Sequence, residues 1–419
     1  MTYWPANTCG MFLAVMVRRL PYKNAQLITR NRTIRGKSTM KQVAQALVVF
    51  LKSLMLAASL ALAAPASATV YSVLDLGGCC GLGSTAYGLN ENGQVVGDMN
   101  TGAYSYLAFT TGANGVSMMP LGTLGGYQSH ARGINVSGQV VGWSGTSGGE
   151  SHAFMTGLNG FGMTDLGTLG GPNSSAVAIN ASGQVAGGSY ITSGAFHAFI
   201  TGPNGVEMTD LGTLGGTSSG AYDINDRGQV VGVSATSSGA DHAFITGLDG
   251  VDMIDLGTLG GVSSNARGIN KDGRVVGAAT TSQGAAHAFI TGPDGIGMTD
   301  LGILPGGCCF SDAWGINTSG QVVGWATSSS GSYHAFVTGA NGVGMTDLND
   351  LATLESDYFQ IAYGINDQGQ IIAGDSSGRA YLLSPVPEPK AYALILAGLG
   401  LVGFAARKQE KQARLGVGF

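Results

Sequence analysis

One block of about 45 residues recurs seven times in this chain, almost letter for letter, and that recurrence limits the fold more than any other feature. Asp-Leu-Gly begins at Asp75, Asp165, Asp210, Asp255 and Asp300, with Pro120 and Asp347 in the equivalent places, at steps of 45, 45, 45, 45, 45 and 47 residues. A second marker falls at Leu89-Asn90, Ile134-Asn135, Ile179-Asn180, Ile224-Asn225, Ile269-Asn270, Ile316-Asn317 and Ile365-Asn366. Each unit is too small to bury a core alone, so the units must stack on one another. In the third unit the apolar runs Ala176–Asn180, Gln184–Ser189, His197–Thr201 and Met208–Leu211 read as four short strands. Asn180-Ala181-Ser182-Gly183 between the first two reads as a tight hairpin turn, with Asn bonding its own backbone and Gly supplying positive φ. Four antiparallel strands in this length make one propeller blade.

The ends of the array choose between a closed ring and an open β-solenoid, the alternative architecture. The last unit has strand-like runs at Ala362–Asn366, Gln370–Gly374 and Arg379–Leu383 but stops at Pro385 without a fourth. Thr69–Leu76 is a fourth strand lacking the preceding three. The spare strand at one end fits the gap at the other, so the expected fold is all-β: a seven-bladed β-propeller of four-stranded antiparallel blades over 69–384, closed by the N-terminal strand. Gly numbers 71 without a Gly-X-Y period, which excludes collagen and suits a turn-rich β-protein.

The flanking segments read as addresses. Residues 40–68 have a basic start, an apolar core and small residues at Ala66 and Ala68, the pattern of a signal peptide cleaved by signal peptidase after Ala68. Residues 1–39 share nothing with the repeats and read as an upstream over-extension of the start codon. At the other end, 385–419 carries Pro387-Glu388-Pro389, an uncharged apolar segment over 391–406 and a basic tail starting at Arg407-Lys408. The apolar segment is barely long enough for a transmembrane helix, and the basic residues beyond it would stay cytoplasmic. This order of parts resembles the PEP-CTERM sorting signal. The resemblance implies processing near Pro387–Pro389 by an exosortase in a Gram-negative bacterium that makes exopolysaccharide, transient inner-membrane anchoring, and a final place on the cell surface or in the extracellular matrix. Gln409 and Glu410 interrupt the basic cluster, a departure from the pattern. The repeated Asp-Leu-Gly-Thr-Leu-Gly-Gly, Gly-Ile-Asn, Gly-Gln-Val-Val-Gly and His-Ala-Phe resemble the HAF family of extracellular repeats, a likeness that carries no activity and no catalytic residues.

Within the array, His152, His197, His242, His287 and His334 occur once in each of five units, with Leu107 and Arg379 in their place in the first and last. A propeller disperses such positions around a ring, whereas a metal needs several ligands at one point. A structural hydrogen bond in each blade, to the Asp of Asp-Leu-Gly, is the expectation, and no metal or cofactor is called for. The Asn-x-x-Gly turns lack the carboxylates of a calcium loop. Cys79-Cys80 and Cys308-Cys309 occupy equivalent loops of units one and six. Export permits disulfides, either within each pair or across the central opening, and a four-thiol metal site is a weaker possibility.

The position before Gly-Ile-Asn varies in an informative way: Tyr87, Arg132, Val177, Tyr222, Arg267, Trp314 and Tyr363. On the innermost strand these would ring the channel mouth, where aromatic faces stack on sugars and Arg pairs with uronate carboxylates. The competing reading has them packed between blades. Trp143 and Trp325 read as packing residues. Residues 69–389 hold 24 Asp and Glu against 6 Lys and Arg, an acidity that argues against nucleic acid and anionic membrane as partners. Two function classes follow: a non-catalytic binding or structural module with a polysaccharide ligand, which is the favoured expectation, or a glycan hydrolase or lyase with its site at the propeller mouth. No Ser-His-Asp set or paired carboxylates stand out to support the second.

Overall fold

The computed structural model describes residues 70–386 apart from 79–82, 103–104 and 356. Among the described residues, 28 strands form seven four-stranded antiparallel sheets, arranged as a seven-bladed β-propeller. Blades are numbered 1–7 along the chain from Ser84, and strands within a blade are counted outward from the axis. Blade 3 is representative, with strands Gly170–Ile179, Val185–Ile191, Phe196–Thr201 and Met208–Asp210. The first strand starts earlier than the sequence pattern suggests. Gly170 pairs with Ile191 across a register shift, and Gly171 passes hard against Tyr190, where a side chain would collide.

Blade 7 closes as expected. Tyr71–Asp75 pairs with Ala380–Pro385, in register from Tyr71 opposite Pro385 to Asp75 opposite Tyr381. Tyr71 is buried in the seam between blades 6 and 7, so the closing strand contributes to the core as well as to the sheet.

The core is a set of seams between adjacent blades rather than one central cluster. Phe154, Phe199, Phe244, Phe289 and Phe336, the Phe of each His-Ala-Phe, are fully buried. Phe244 of blade 4, for example, packs with Ala186, Ala198 and Ile200 of blade 3. Small residues of one sheet face large ones of the next, which brings the sheets close enough to exclude water.

The Asn-x-x-Gly turns do two tasks. Within its own turn, Asn180 Oδ1 accepts from the backbone N–H groups of Ser182 and Gln184, and Gly183 takes φ +79°. Its Nδ2 reaches the next blade and donates to the carbonyl of Asn225 at 3.1 Å. The same bond recurs from Asn90, Asn135, Asn225, Asn270 and Asn317 to the following blade, and from Asn366 back to Asn90, at 2.9–3.2 Å. Seven buried amides thus form a closed hydrogen-bonded ring around the axis.

Candidate functional site

The innermost strand of every blade carries a β-bulge at one place. In blade 1 Ala86 pairs with Gly97 and Gly88 with Val96, which leaves Tyr87 as the extra, unpaired residue. The same shift isolates Arg132, Val177, Tyr222, Arg267, Trp314 and Tyr363. A bulge turns its extra side chain away from the regular alternation, and here it aims all seven into the channel. Neighbouring inner strands approach closely at this level. A Cβ on Gly133 would lie 2.8 Å from the carbonyl of Val177, which accounts for Gly after the variable residue in most blades.

These seven side chains line a cavity of about 570 Å³ at one end of the channel, within the roughly 300–1,000 Å³ typical of small-molecule pockets. Leu89 and the Ile residues of the Ile-Asn markers form the waist below it, and the ring of Asn turns surrounds a second cavity of about 360 Å³ beyond. None of Tyr87, Arg132, Tyr222, Arg267, Trp314 and Tyr363 is buried, and Tyr222 is 37% exposed.

The side chains touch one another in sequence. The Arg132 guanidinium lies 3.9 Å from the centre of the Tyr87 ring. Tyr87 meets Tyr363 edge-on at 5.7 Å, and Tyr363 meets Trp314 edge-on at 5.3 Å. Arg267 lies 4.5 Å from the Trp314 ring and 5.8 Å from that of Tyr222. The belt is therefore continuous from Arg132 round to Tyr222, with a gap at Val177.

Its two arginines differ. Arg267 Nε donates to Asp312 Oδ2 at 2.9 Å, and Asp312 is buried. Burial raises the Asp312 carboxyl above the usual carboxylate range, with Arg267 and Trp314 opposing the shift. Arg132 forms no ion pair among the described residues, so its charge is free to meet a ligand. Burial also raises Tyr363, reinforced by Tyr87 and opposed by Arg132.

One lining residue was not anticipated from the sequence. Asp223 stands where the other blades carry Gly or Ala and also faces the cavity. Its Oδ1 accepts from Ile224 N–H at 2.8 Å and its Oδ2 from Ile269 N–H of blade 5 at 2.9 Å. Burial pushes its carboxyl up to about 7, although both backbone donors favour the ionised form. The departure from Gly was legible, but a single substitution in seven near-copies reads as drift until the cavity is visible.

The other candidates lie away from the belt. The five repeated histidines bond the Asp of their own blade: His152 to Asp165, His197 to Asp210, His242 to Asp255, His287 to Asp300 and His334 to Asp347, at 2.6–2.9 Å. His130, outside the repeat pattern, bonds buried Asp98 of blade 1 at 2.6 Å and stacks on Trp143 at 4.1 Å. Trp325 packs on Tyr333. Among the described residues no three His, Cys, Asp or Glu side chains gather as a metal site. Cys308 and Cys309 are exposed, and their thiols are free in this structure. Cys79 and Cys80, Ala66 and Ala68, and Pro387-Glu388-Pro389 lie outside the described residues, as do the 391–406 segment and residues 1–39. Among the described residues no helix is long and apolar enough to cross a membrane.

Residues 385–409 match the PEP-CTERM protein-sorting motif. The motif marks the chain as an exported propeller protein and implies exosortase processing. No curated protein matches the sequence. Among solved structures, the oligogalacturonate lyase of Vibrio parahaemolyticus is similar at 9% identity and a TM-score of 0.49, over 78% of this chain and 99% of that one. TolB from Acinetobacter baumannii is similar at 12% identity and a TM-score of 0.39, over 70% of this chain and 80% of that one.

Proposed function

We propose that the protein is a non-catalytic, surface- or matrix-associated module that binds an acidic polysaccharide in the belt-lined mouth of its channel. The observation that carries this reading is the bulge repeated in all seven blades. It directs four aromatic rings and two arginines into one cavity, and leaves Arg132 without a counter-ion there. Aromatic faces hold sugar rings by stacking, while an unpaired guanidinium selects a carboxylate or sulfate substituent. In a mature chain this acidic, an uncompensated cation inside a cavity is a specific local exception.

In this reading signal peptidase cleaves after Ala68, the 391–406 segment holds the chain in the inner membrane, and an exosortase cleaves near Pro387–Pro389 before the propeller reaches the surface. The HAF-like repeats then build a scaffold in an exopolysaccharide setting.

A glycan hydrolase or lyase is the competing reading, and Asp223 is the observation on its side. Its carboxyl titrates near neutrality at the cavity wall. Both its oxygens, however, already accept backbone N–H groups, and Asp312 is committed to Arg267. A general acid needs an oxygen free to reach the glycosidic bond. The test is titration of the mature 69–389 fragment with a uronate polymer and with neutral dextran, followed by analysis of the polymer for chain scission. Saturable, salt-sensitive binding to the uronate polymer with its length unchanged is expected. Shortened polymer would support the enzyme, and equal affinity for dextran would remove the role assigned to Arg132.

A further inference from the structure

Each loop between third and fourth strands ends in one apolar side chain held out in solvent: Val116, Phe161, Val206, Val251, Ile296 and Val343, all 59–75% exposed. Isolated apolar residues on a surface are ordinary. Here they recur at one register position in six blades, and Leu158 and Leu248 in the same loops are as exposed. The loops are also fixed. In blade 1 Asn114 takes φ +55°, and the backbone N–H groups of Asn114 and Gly115 donate to Asn92 and Gly93. The equivalent bonds from Gly160, Gly205, Gly250, Gly295 and Gly342 pin the other five loops.

Those bonds also define a face, because each loop rests on the Asn-x-x-Gly turn of its own blade. Blade 7 has no such loop, and the chain ends take its place. Gln370, beside the blade 7 turn, donates to Ser384 Oγ at 3.1 Å, and Val386 N–H donates to the Val70 carbonyl at 2.8 Å. Val70 and Val386 are themselves 57% and 45% exposed. The chain therefore leaves for its sorting segment from the face that carries these six loop side chains. The belt opens on the opposite side of the waist.

The distance to the membrane is short. Ala391, where the apolar segment begins, is five residues beyond Val386, a reach of at most about 17 Å for an extended chain. With 391–406 inserted, a tether of that length keeps this face nearer the bilayer than the opposite one. We propose that, before sorting cleavage, the propeller docks turn-face down on the lipid surface. The six loop side chains enter the interfacial layer, and the belt-lined mouth points outward. The proposal rests on the reading of 391–406 as the membrane-inserting segment. Exposed Glu207 and Asp252 next to Val206 and Val251 oppose an anionic surface, so the surface it fits is zwitterionic.

The test uses the chain from Thr69 to Phe419 in phosphatidylcholine vesicles, with a Phe161→Trp reporter and lipids brominated near the headgroup. Position 161 is 75% exposed, so the substitution leaves the core alone. The parent's Trp143, Trp314 and Trp325, none in these loops, provide the background. The reporter is expected to be quenched several-fold more than that background, and Val206→Asp, Val251→Asp and Ile296→Asp together should abolish the difference. Vesicles that carry the chain while quenching the reporter no more than the parent would overturn the docked orientation and leave the anchor standing. Failure of the chain to float with vesicles at all would overturn the anchor reading, and the docking with it.

Discussion

The side-chain amide of Asn366 donates to the backbone carbonyl of Asn90, 3.1 Å away in space and 276 residues away in the chain. It is the same bond that joins every other pair of adjacent blades, so the junction between last and first blades repeats the others. Only a closed ring can make it. Asn366 is buried and its Oδ1 is also in use, accepting from Gln370 N–H at 2.9 Å.

Breaking one link should therefore leave a buried carbonyl and a turn unsatisfied together. Asn366→Ala is expected to cost about 1–3 kcal/mol, the usual penalty for stranding buried hydrogen-bonding groups. Asn180→Ala should cost a similar amount, because the ring is equivalent at both places. Urea unfolding would show a lowered midpoint with the slope unchanged. A midpoint that does not move would mean the ring accompanies the packing of the blades without stabilising it.

Removing residues 69–76 tests the closure of the sheet itself. The deletion takes Tyr71 out of the blade 6–7 seam and exposes the edge of Ala380–Pro385. The melting temperature should fall by at least about 10 °C, well beyond the effect of deleting as many exposed loop residues. A cooperative melt within a degree or two of the parent would contradict closure by this strand.

Asp223 gives the stability a defined pH dependence. Its carboxyl titrates at about 7 in the fold, against 3.8 as the ordinary value. The folded state therefore binds the proton more tightly than the unfolded chain, and stability falls as pH rises from about 4 to about 7. The contribution is bounded at about 4 kcal/mol by the size of the shift. Asp223→Gly restores the residue of most other blades and should flatten the melting temperature across that window. A variant with the parent's pH profile would show that another group carries the dependence.

The sequence was most readable where the repeat multiplies one physical requirement. Loss of His and loss of Asp coincide in unit one, where Leu107 accompanies Pro120, and the structure shows the reason: the two are bonding partners elsewhere. Closure was readable from the surplus strand at 69–76. The second task of Asn180 was hidden, because its turn fully accounts for an Asn without any reference to the next blade. Ser174 was hidden for a similar reason. Its Oγ accepts from Ala153 N–H of the preceding blade at 2.9 Å, yet in the sequence it looks like a loop serine. The belt was visible as a variable column, but the choice between channel and blade seam depended on the bulge, a backbone irregularity with no side-chain signature.

The two belt arginines supply the sharpest prediction, since they share a repeat position and differ in their partners. Arg267→Met should destabilise the fold by about 2–4 kcal/mol, because it strands the buried Asp312 carboxylate. That loss should shrink at low pH, where Asp312 is protonated. Arg132→Met removes a cation that lies over the Tyr87 ring and pairs with no carboxylate among the described residues, so the melting temperature should barely change. If the belt binds acidic polysaccharide, Arg132→Met should weaken binding of a uronate polymer and reduce its salt sensitivity. Trp314→Ala should lower affinity by about 1–3 kcal/mol through a lost stacking face, a magnitude borrowed from base–aromatic stacking. Calorimetric titration beside thermal melts separates these outcomes. An Arg132 variant that melts like the parent and binds the polymer equally well would remove the belt from recognition and leave it as a lining of the channel.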